Sequence, residues 1–537
     1  MKTTEPLHNI AISFSGGGYR AAAYNLGVLS YLHTLRLGDE TLLHRVKLIS
    51  TISGGTITGM RYALSLAKDE PFETFYKELY AFLADKKLMD EAFKMLNTPN
   101  NWAFPYKSKN LINACATIYQ SELFKGAHFD TLLAYNEATK VEFMFNTTNI
   151  ETAKPFRFQV SATGIIGNKE HRVSEKNAKD LRLGDIVAAS SCFPGGFEPM
   201  IFPHDFLDNT EDFIKNKTWY PKQLRLMDGG IADNQGIESM WLAEKRLAKE
   251  TGYFIGTYII SDVRKEMTLE RIKTTKPPTI WGKLSLFNYF IGVLGVLIGA
   301  VLLLLYFSSK WLAFAMGIVI TLSTLFVVVY LSVQFYVKKI IKGTLGQETP
   351  QLIKDLKILF NINISTLWRL IRIRMNALMQ LFGTVFLERI RHLHYDKTYD
   401  EDKDWAFRTC SNLIYHLPKN GSKIEVSPNV VGVSIALKKV VLKANKMKTT
   451  LWFTDKETIK NERLNDLIVT GQATICSKLI AYLNVRLEKS QPPTDINKEY
   501  YPLTNETKTE IQLLLNQLNA DFVRFNENPY WLIEKHY

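Results

Sequence analysis

Residues 9–20 read Asn9-Ile10-Ala11-Ile12-Ser13-Phe14-Ser15-Gly16-Gly17-Gly18-Tyr19-Arg20. An apolar run that ends in three glycines and passes into a helical pattern is a strand, a tight turn and a helix. We expect residues 9–14 to form a strand and 20–35 a helix, followed by a strand over 46–52 and a helix from Thr56. Such a βαβα opening predicts an α/β fold. Further strands are expected at 141–147, 156–161, 224–227 and 253–261. Residues 81–125 read as mostly helical, a cap or lid.

The glycines lie where a strand hands over to a helix, so backbone N–H groups and the helix dipole converge on a small concavity. Such a concavity binds an anion. Residues 16–21 match the dinucleotide pattern G-x-G-x-x-A with Asp39 near the acidic position, but Asp39 follows Gly38 in a loop instead of closing a second strand. A Walker loop is excluded for want of Gly-Lys-Ser/Thr. The other candidate anion is an oxyanion, which requires a nucleophile. Thr51-Ile52-Ser53-Gly54-Gly55 supplies one, because Ser53 ends an apolar strand and precedes a helix, the setting of a nucleophile elbow. Thr51 stands where G-x-S-x-G has its first glycine. A serine hydroxyl needs a base. His8 and His44 precede the two strands and sit a strand length from the motifs, whereas Asp228 in Asp228-Gly229-Gly230 follows the strand-like Leu224-Arg225-Leu226-Met227. Its carboxylate reaches Ser53 if the strands are neighbours. An ordinary Asp-Gly turn is the simpler reading of that piece alone.

Gly-Gly-Gly-Tyr-Arg at 16–20, Thr-Ile-Ser-Gly-Gly at 51–55 and Asp-Gly-Gly at 228–230, in this order, resemble the patatin-like phospholipase family over residues 8–262. The resemblance implies a three-layer α/β/α domain with a mainly parallel sheet. It also implies a Ser-Asp dyad that cleaves acyl esters in phospholipase, lysophospholipase or lipase fashion, without metal or cofactor. Ser53 would be the nucleophile, Asp228 its base, and the amides of Gly16, Gly17 and Gly18 the oxyanion hole. Ala188-Ala189-Ser190-Ser191-Cys192-Phe193-Pro194 is similar to a family segment that lines the site, and 231–236 resembles the stretch after the family's Asp. Arg20, Gly54 and Pro194 are then expected near the substrate. Ser15 stands where many members have Asp, and Ala21 where many have Gly.

The 537-residue chain carries a formal charge of +13, which admits nucleic acid, anionic lipid or acidic substrates as partners. Residues 286–307 and 311–337 are uncharged, separated only by Ser308-Ser309-Lys310. At ~1.5 Å per residue each covers the ~30 Å hydrocarbon core of a bilayer. A soluble core hairpin is the alternative, but only Asn288, Gln334 and scattered Ser/Thr interrupt the apolar character. Lys273, Lys276 and Lys283 precede the pair and Lys338, Lys339 and Lys342 follow it, which places both flanks in the cytoplasm. Residues 10–14 are too short for a secretory segment. Cys115, Cys192, Cys410 and Cys476 are isolated and read as reduced core residues. His392 and His394, without nearby cysteine, do not read as a metal site.

Three regions are therefore expected: a catalytic domain at 1–270, a transmembrane hairpin at 286–337, and a basic, mainly helical region at 338–537. Between residues 338 and 397 eleven Lys/Arg face four Asp/Glu, densest at Trp368-Arg369-Leu370-Ile371-Arg372-Ile373-Arg374. Beside spanning helices this pattern suits anionic lipid head groups, with a solvated helix face as the plain alternative. Nucleic acid is disfavoured because no recognition motif accompanies the charge. Two short β-like runs in 422–482, one at 430–441, precede a helix containing Gly471-Gln472-Ala473-Thr474. The combined expectation is a two-pass, membrane-anchored serine acyl hydrolase acting on phospholipid or another acyl-ester lipid. Its rivals are an inactive scaffold that binds lipid or protein, and a nucleotide-binding membrane protein.

Overall fold

The structure is a computed structural model that describes the chain apart from residues 1–4, 86–87, 99–101, 103, 105, 140, 162–163, 209–223, 251, 253, 265–283, 307–308, 346–360, 420–423, 427–428, 451–462, 493–499 and 537. It divides into two compact units, Met1–Met267 with Phe386–Tyr537, and Thr268–Val385.

The first unit is built on a ten-stranded sheet. In chain order its strands are β1 (Ile10–Phe14), β2 (Val46–Ile52), β3 (Glu142–Asn149), β4 (Lys154–Val160), β5 (Ile166–Gly167), β6 (Arg172–Val173), β7 (Met200–Phe202), β8 (Leu224–Asp228), β9 (Thr257–Asp262) and β10 (Thr409–Leu413). The order across the sheet is β10-β9-β1-β2-β3-β4-β5-β6, with β8 paired to β3 and β7 to β8. The block β10-β9-β1-β2-β3 runs parallel, and the remaining pairs are antiparallel.

Alternation along the parallel strands makes three layers. Ile10, Ile12 and Phe14 face a core shared with helix α1 (Gly18–Thr34), while Ala11 faces a second core formed with Tyr258, Ile260, Ile237, Met240 and Trp241. Strands buried on both faces need apolar residues at nearly every position, and β1 has them. Helices α2 (Gly54–Ala67), α3 (Leu183–Ser190) and α4 (Ile237–Glu250) complete the frame of the site. The region expected as a cap contains helices Phe72–Asp85, Leu88–Asn97 and Leu111–Ile118, and their Phe75, Leu79, Leu88 and Ile112 belong to the same core as α1.

Where the sequence suggested a boundary at 338, the chain from Phe386 onward packs with the N-terminal part as one unit. The parallel edge strand β10 pairs with β9 from Tyr258↔Thr409 to Asp262↔Leu413. The run at 430–441 is a strand only at Asn429–Val431, for Ser434 caps a helix, Ile435–Asn445, that buries Leu437, Val440, Val441 and Ala444. That spacing is helical, not alternating.

The second unit contains helices α5 (Leu286–Tyr306), α6 (Lys310–Leu345) and α7 (Ile364–Gln380). α5 packs on α6, with Phe290 and Tyr330 stacked at 4.6 Å. Leu286–Tyr306 and Lys310–Val333 are long and apolar enough to cross a membrane, at mean hydropathy 2.5 each. Their large side chains lie outward, Leu305 80% and Trp311 84% exposed. Trp368, Ile371, Met375 and Leu378 form an exposed apolar stripe on α7 beside Arg369, Arg372 and Arg374. Lys273, Lys276, Lys283, Lys354 and Lys357 lie outside the described residues.

Helices α8 (Leu387–Asp396) and α9 (Arg463–Glu488) belong to the first unit. α1 and α9 cross in backbone contact: a Cβ on Gly27 would sit 2.1 Å from the Ile468 carbonyl, and one on Gly471 2.2 Å from that of Tyr24. Alanine in a helix interior ordinarily stabilises by up to ~1 kcal/mol over glycine. Here the sign should reverse. Gly27→Ala and Gly471→Ala should each destabilise by about 1–3 kcal/mol through overpacking, read as a lower Tm in detergent. A raised Tm would show that the helices are not in backbone contact.

Candidate active site

The register of three strands brings the two sequence motifs together. Ile52 on β2 lies opposite Asn146 on β3, and Asp228 on β8 lies opposite the next residue, Thr147. β4 pairs with β3 from Phe143 to Asn149 along its other edge, so β2 and β8 follow one another along the same edge of β3. Ser53 and Asp228 are therefore set side by side where the two strands meet, and a Cβ on Gly229 would lie 3.2 Å from Ile52 Cδ1. The Ser53 hydroxyl comes near enough to the Asp228 carboxylate to lower its pKa.

Ser53 has φ 50° and ψ −124°, outside the helical and strand regions. Such a conformation costs of order 1–3 kcal/mol and persists only where the surroundings enforce it. Small neighbours let the turn close. A Cβ on Gly54 would lie 1.9 Å from the Gly18 carbonyl oxygen, and one on Gly55 2.6 Å from that of Phe14. Gly54 is thus a packing residue between α2 and the glycine loop rather than a substrate contact.

In that loop Gly17 has φ 148° and Gly18 φ 59°. The loop is tied to β9 by Ser15, whose N–H donates to the Ser261 carbonyl at 3.0 Å and whose hydroxyl accepts from Val263 N at 3.1 Å. Gly16 was expected in the oxyanion hole, but its N–H donates to the Asn234 carbonyl at 3.1 Å. Tyr19 N–H donates to the Thr450 carbonyl at 2.7 Å. Among the described residues no acceptor pairs with the N–H groups of Gly17 and Gly18, and Gly17 is the half-exposed member of the three. Ser53 borders the loop, since a Cβ on Gly16 would be 3.3 Å from that of Ser53.

Arg20 also departs from expectation. It is fully buried, its Nη1 donates to the Met447 carbonyl at 3.1 Å, and burial pulls its pKa down to about 10. It joins α1 to the C-terminal chain and is not on the site surface. Pro194 is half-buried in the turn Phe193 to Phe197, linked to the site through Cys192, whose carbonyl accepts from Asp228 N at 3.1 Å.

Asp228 is held from three sides. Its carbonyl accepts from Thr148 Oγ1 at 2.9 Å, its Oδ1 accepts from Gly230 N at 2.7 Å, and a Cβ on Gly229 would lie 2.4 Å from the Asn146 carbonyl. Burial pushes its pKa up to about 6, against the lowering bonds from Gly230 N–H and the Ser53 hydroxyl. Among the described residues neither Ser53 nor Asp228 has a histidine partner.

Sequence reasoning placed Ser190 in a segment lining the site but not its contact with Ser53, and it missed Asn146. Ser190 Oγ accepts from Ser53 N at 2.9 Å. Asn146 Nδ2 donates to the Thr51 carbonyl and to Ser50 Oγ, both at 3.0 Å, while its Oδ1 accepts from Ser239 Oγ at 2.5 Å. The available signal was a polar residue inside an apolar strand, Phe143-Met144-Phe145-Asn146, since buried polar groups must be paired. A cavity of about 500 Å³ between β10 and α9, walled by Phe407, Cys410, Lys478 and Tyr482 among others, contains none of these groups.

Residues 12–241 match a family model described as patatin-like phospholipase. A search of the curated proteins finds no match. Among solved structures the chain is similar to human GIVD cytosolic phospholipase A2, at 14% identity and a TM-score of 0.30, over 48% of this chain and 43% of that one. The chain thus spans less than half the length of that relative, and a likeness this slight places no residue.

An Asp228 that accepts a proton must first be ionised. With its pKa near about 6, kcat/KM should fall about tenfold per pH unit below that value and level off above it. A profile flat between about pH 5 and 8 would remove Asp228 from the proton transfer.

Proposed function

Residues 12–241 form a patatin-like phospholipase domain, and from that premise we propose that the chain is a membrane-anchored serine acyl hydrolase cleaving fatty-acyl esters of phospholipid or a related lipid. The observation that carries this reading is the juxtaposition of Ser53 and Asp228, at the meeting ends of two strands on one edge of β3, beside the uncommitted N–H groups of Gly17 and Gly18.

Ser53 Oγ attacks the ester carbonyl while Asp228 takes its proton, and the negative charge that develops on the carbonyl oxygen meets the two amides. Collapse of the tetrahedral intermediate expels the alcohol, which leaves with the proton from Asp228. A water then attacks the acyl-enzyme, with Asp228 again as base. Fatty acid departs and Ser53 regains its proton. Burial suits Asp228 to this part, because a carboxylate near pKa 6 is a better base than one near 4 yet stays ionised at neutral pH.

The exposed apolar helices of the second unit support anchoring, since apolar patches of that extent mark contact with lipid or protein. With lysines on both outer flanks and only Lys310 between the helices, the hairpin crosses twice and leaves both long flanks cytoplasmic. The arginines of α7, next to its apolar stripe, suit anionic head groups.

A fluorophosphonate probe should label wild type at Ser53, and Ser53→Ala should abolish both labelling and hydrolysis of a short-chain acyl ester. Equal hydrolysis by the two proteins would leave only the reading of a non-catalytic, lipid- or protein-binding scaffold. In membranes washed with alkaline carbonate the chain should remain in the pellet, and deletion of residues 286–345 should release it. Release of the intact chain would refute the anchor.

A further inference from the structure

The strongest feature outside the dyad is a row of buried hydroxyls beneath the elbow. Thr51 Oγ1 lies 3.0 Å from Thr56 Oγ1, Thr56 Oγ1 lies 2.8 Å from Ser190 Oγ, and Ser190 Oγ lies 2.7 Å from the Asn146 carbonyl and 2.9 Å from Ser53 N. All three hydroxyl residues are fully shielded from solvent.

Proton inventory gives this row a direction. A carbonyl only accepts, so the single Ser190 proton goes to Asn146 O. The contact between Thr56 and Ser190 must then run from Thr56 to Ser190. Ser190 Oγ accepts twice, from Thr56 O–H and from Ser53 N–H, which fills its lone pairs. With the Thr56 proton committed, any bond between Thr51 and Thr56 has Thr51 as donor, its other acceptor being the Met144 carbonyl at 3.3 Å. The row reads Thr51→Thr56→Ser190→Asn146 O, and the N–H of the strained residue 53 enters at Ser190.

Thr51 occupies the position of the first glycine of G-x-S-x-G. Space for its side chain comes from elsewhere, because a Cβ on Gly59 would lie 2.4 Å from Thr51 Cγ2. The glycine that an elbow normally keeps before the nucleophile is here one turn along α2, and residue 51 is released to carry a hydroxyl.

We propose that Thr51, Thr56 and Ser190 are positioning residues that hold Ser53 at its attacking angle through this directed hydroxyl chain, and that Thr51 is its donor end rather than a decayed elbow glycine. The proposal rests on the hydrolase reading for its kinetic consequence but not for its geometry. It places no new group on the substrate, so it acts on the rate of attack and not on lipid binding.

The test compares Ser190→Ala, Thr56→Val, Thr56→Ser, Thr51→Val and Thr51→Gly in the full chain, with active sites counted by fluorophosphonate labelling. Small displacements of a reacting group cost up to ~100-fold. Ser190→Ala and Thr56→Val should lower kcat per labelled site by roughly 10- to 100-fold with KM little changed, and Thr56→Ser should recover most of that loss. Thr51→Gly restores the consensus pattern yet should lower kcat, as should Thr51→Val. A purely structural role would reduce the number of labelled sites and leave the rate per site alone, which would overturn the proposal. So would a wild-type rate in both Thr56→Val and Ser190→Ala, or a gain in Thr51→Gly. If wild type shows no Ser53-dependent turnover, the hydrolase reading fails separately, and hydrogen exchange at the Ser53 amide decides the chain: Thr56→Val should speed it at least tenfold, and unchanged protection would refute the arrangement. Should Ser190→Ala not fold, Thr56→Val carries the test.

Discussion

The site depends on one backbone contact. The Gly18 carbonyl stands 1.9 Å from where a side chain at residue 54 would begin, so α1 and α2 start against each other with nothing between them. One helix brings the amides of Gly17 and Gly18, the other brings Ser53, and neither can shift without the other. The turn that permits this strains Ser53 by of order 1–3 kcal/mol. Against it stand the bonds of Ser53 N–H to Ser190 and of Thr56 N–H to the Ser53 carbonyl at 2.8 Å. At about 1 kcal/mol net each, two such bonds are of the same order as the strain. Ser53 is held by a near balance, which explains the density of small and hydroxyl side chains around it.

In the proposed dyad, sheet register and burial take over two tasks that a histidine performs. Register sets the distance: β2 and β8 pair with the same edge of β3, one ending at Asn146 and the other at the adjacent Thr147. Burial sets the basicity, by raising Asp228 to about 6 despite two bonds that favour its charged form. The same strand carries the Asn146 side chain that braces Ser50 and Thr51 and the Asn146 carbonyl that ends the hydroxyl chain. A single residue in the strand that β2 and β8 share thus supports both.

Much of this was legible before the fold was seen. β1 and β2 end within a residue or so of their expected limits because each is mostly apolar and runs into a glycine turn. The closeness of Ser53 and Asp228 was legible because a nucleophile and its base would demand particular residue types at neighbouring strand ends, and both residues stand at such ends. Arg20 misled because a charged side chain beside a glycine loop reads as a ligand contact, and nothing local says that Met447 will cover it. Gly16 was misassigned because the aim of its N–H depends on Asn234, far along the chain. β10 went unread, since Thr409-Cys410-Ser411-Asn412-Leu413 alternates polar residues that become buried only by pairing with β9.

The chain beyond the apolar helices is part of the first unit and not an appendage to it. Thr450 takes the Tyr19 N–H, Met447 takes Arg20, and α9 lies on α1 with backbone touching backbone. At the end of β9, Asp262 accepts from Tyr395 at 3.1 Å and faces Arg391 at 3.5 Å, both on α8, while the next residue, Val263, is what a side chain on Gly17 would strike at 2.5 Å. The glycine loop is therefore braced by residues made after the second unit. An insertion of this kind is cheap in closure entropy, since each doubling of the excursion adds only ~0.6 kcal/mol. Its consequence is order. The amides of Gly17 and Gly18 gain their support only once residues 386–537 have docked, so the second unit is already synthesised before the site can be complete.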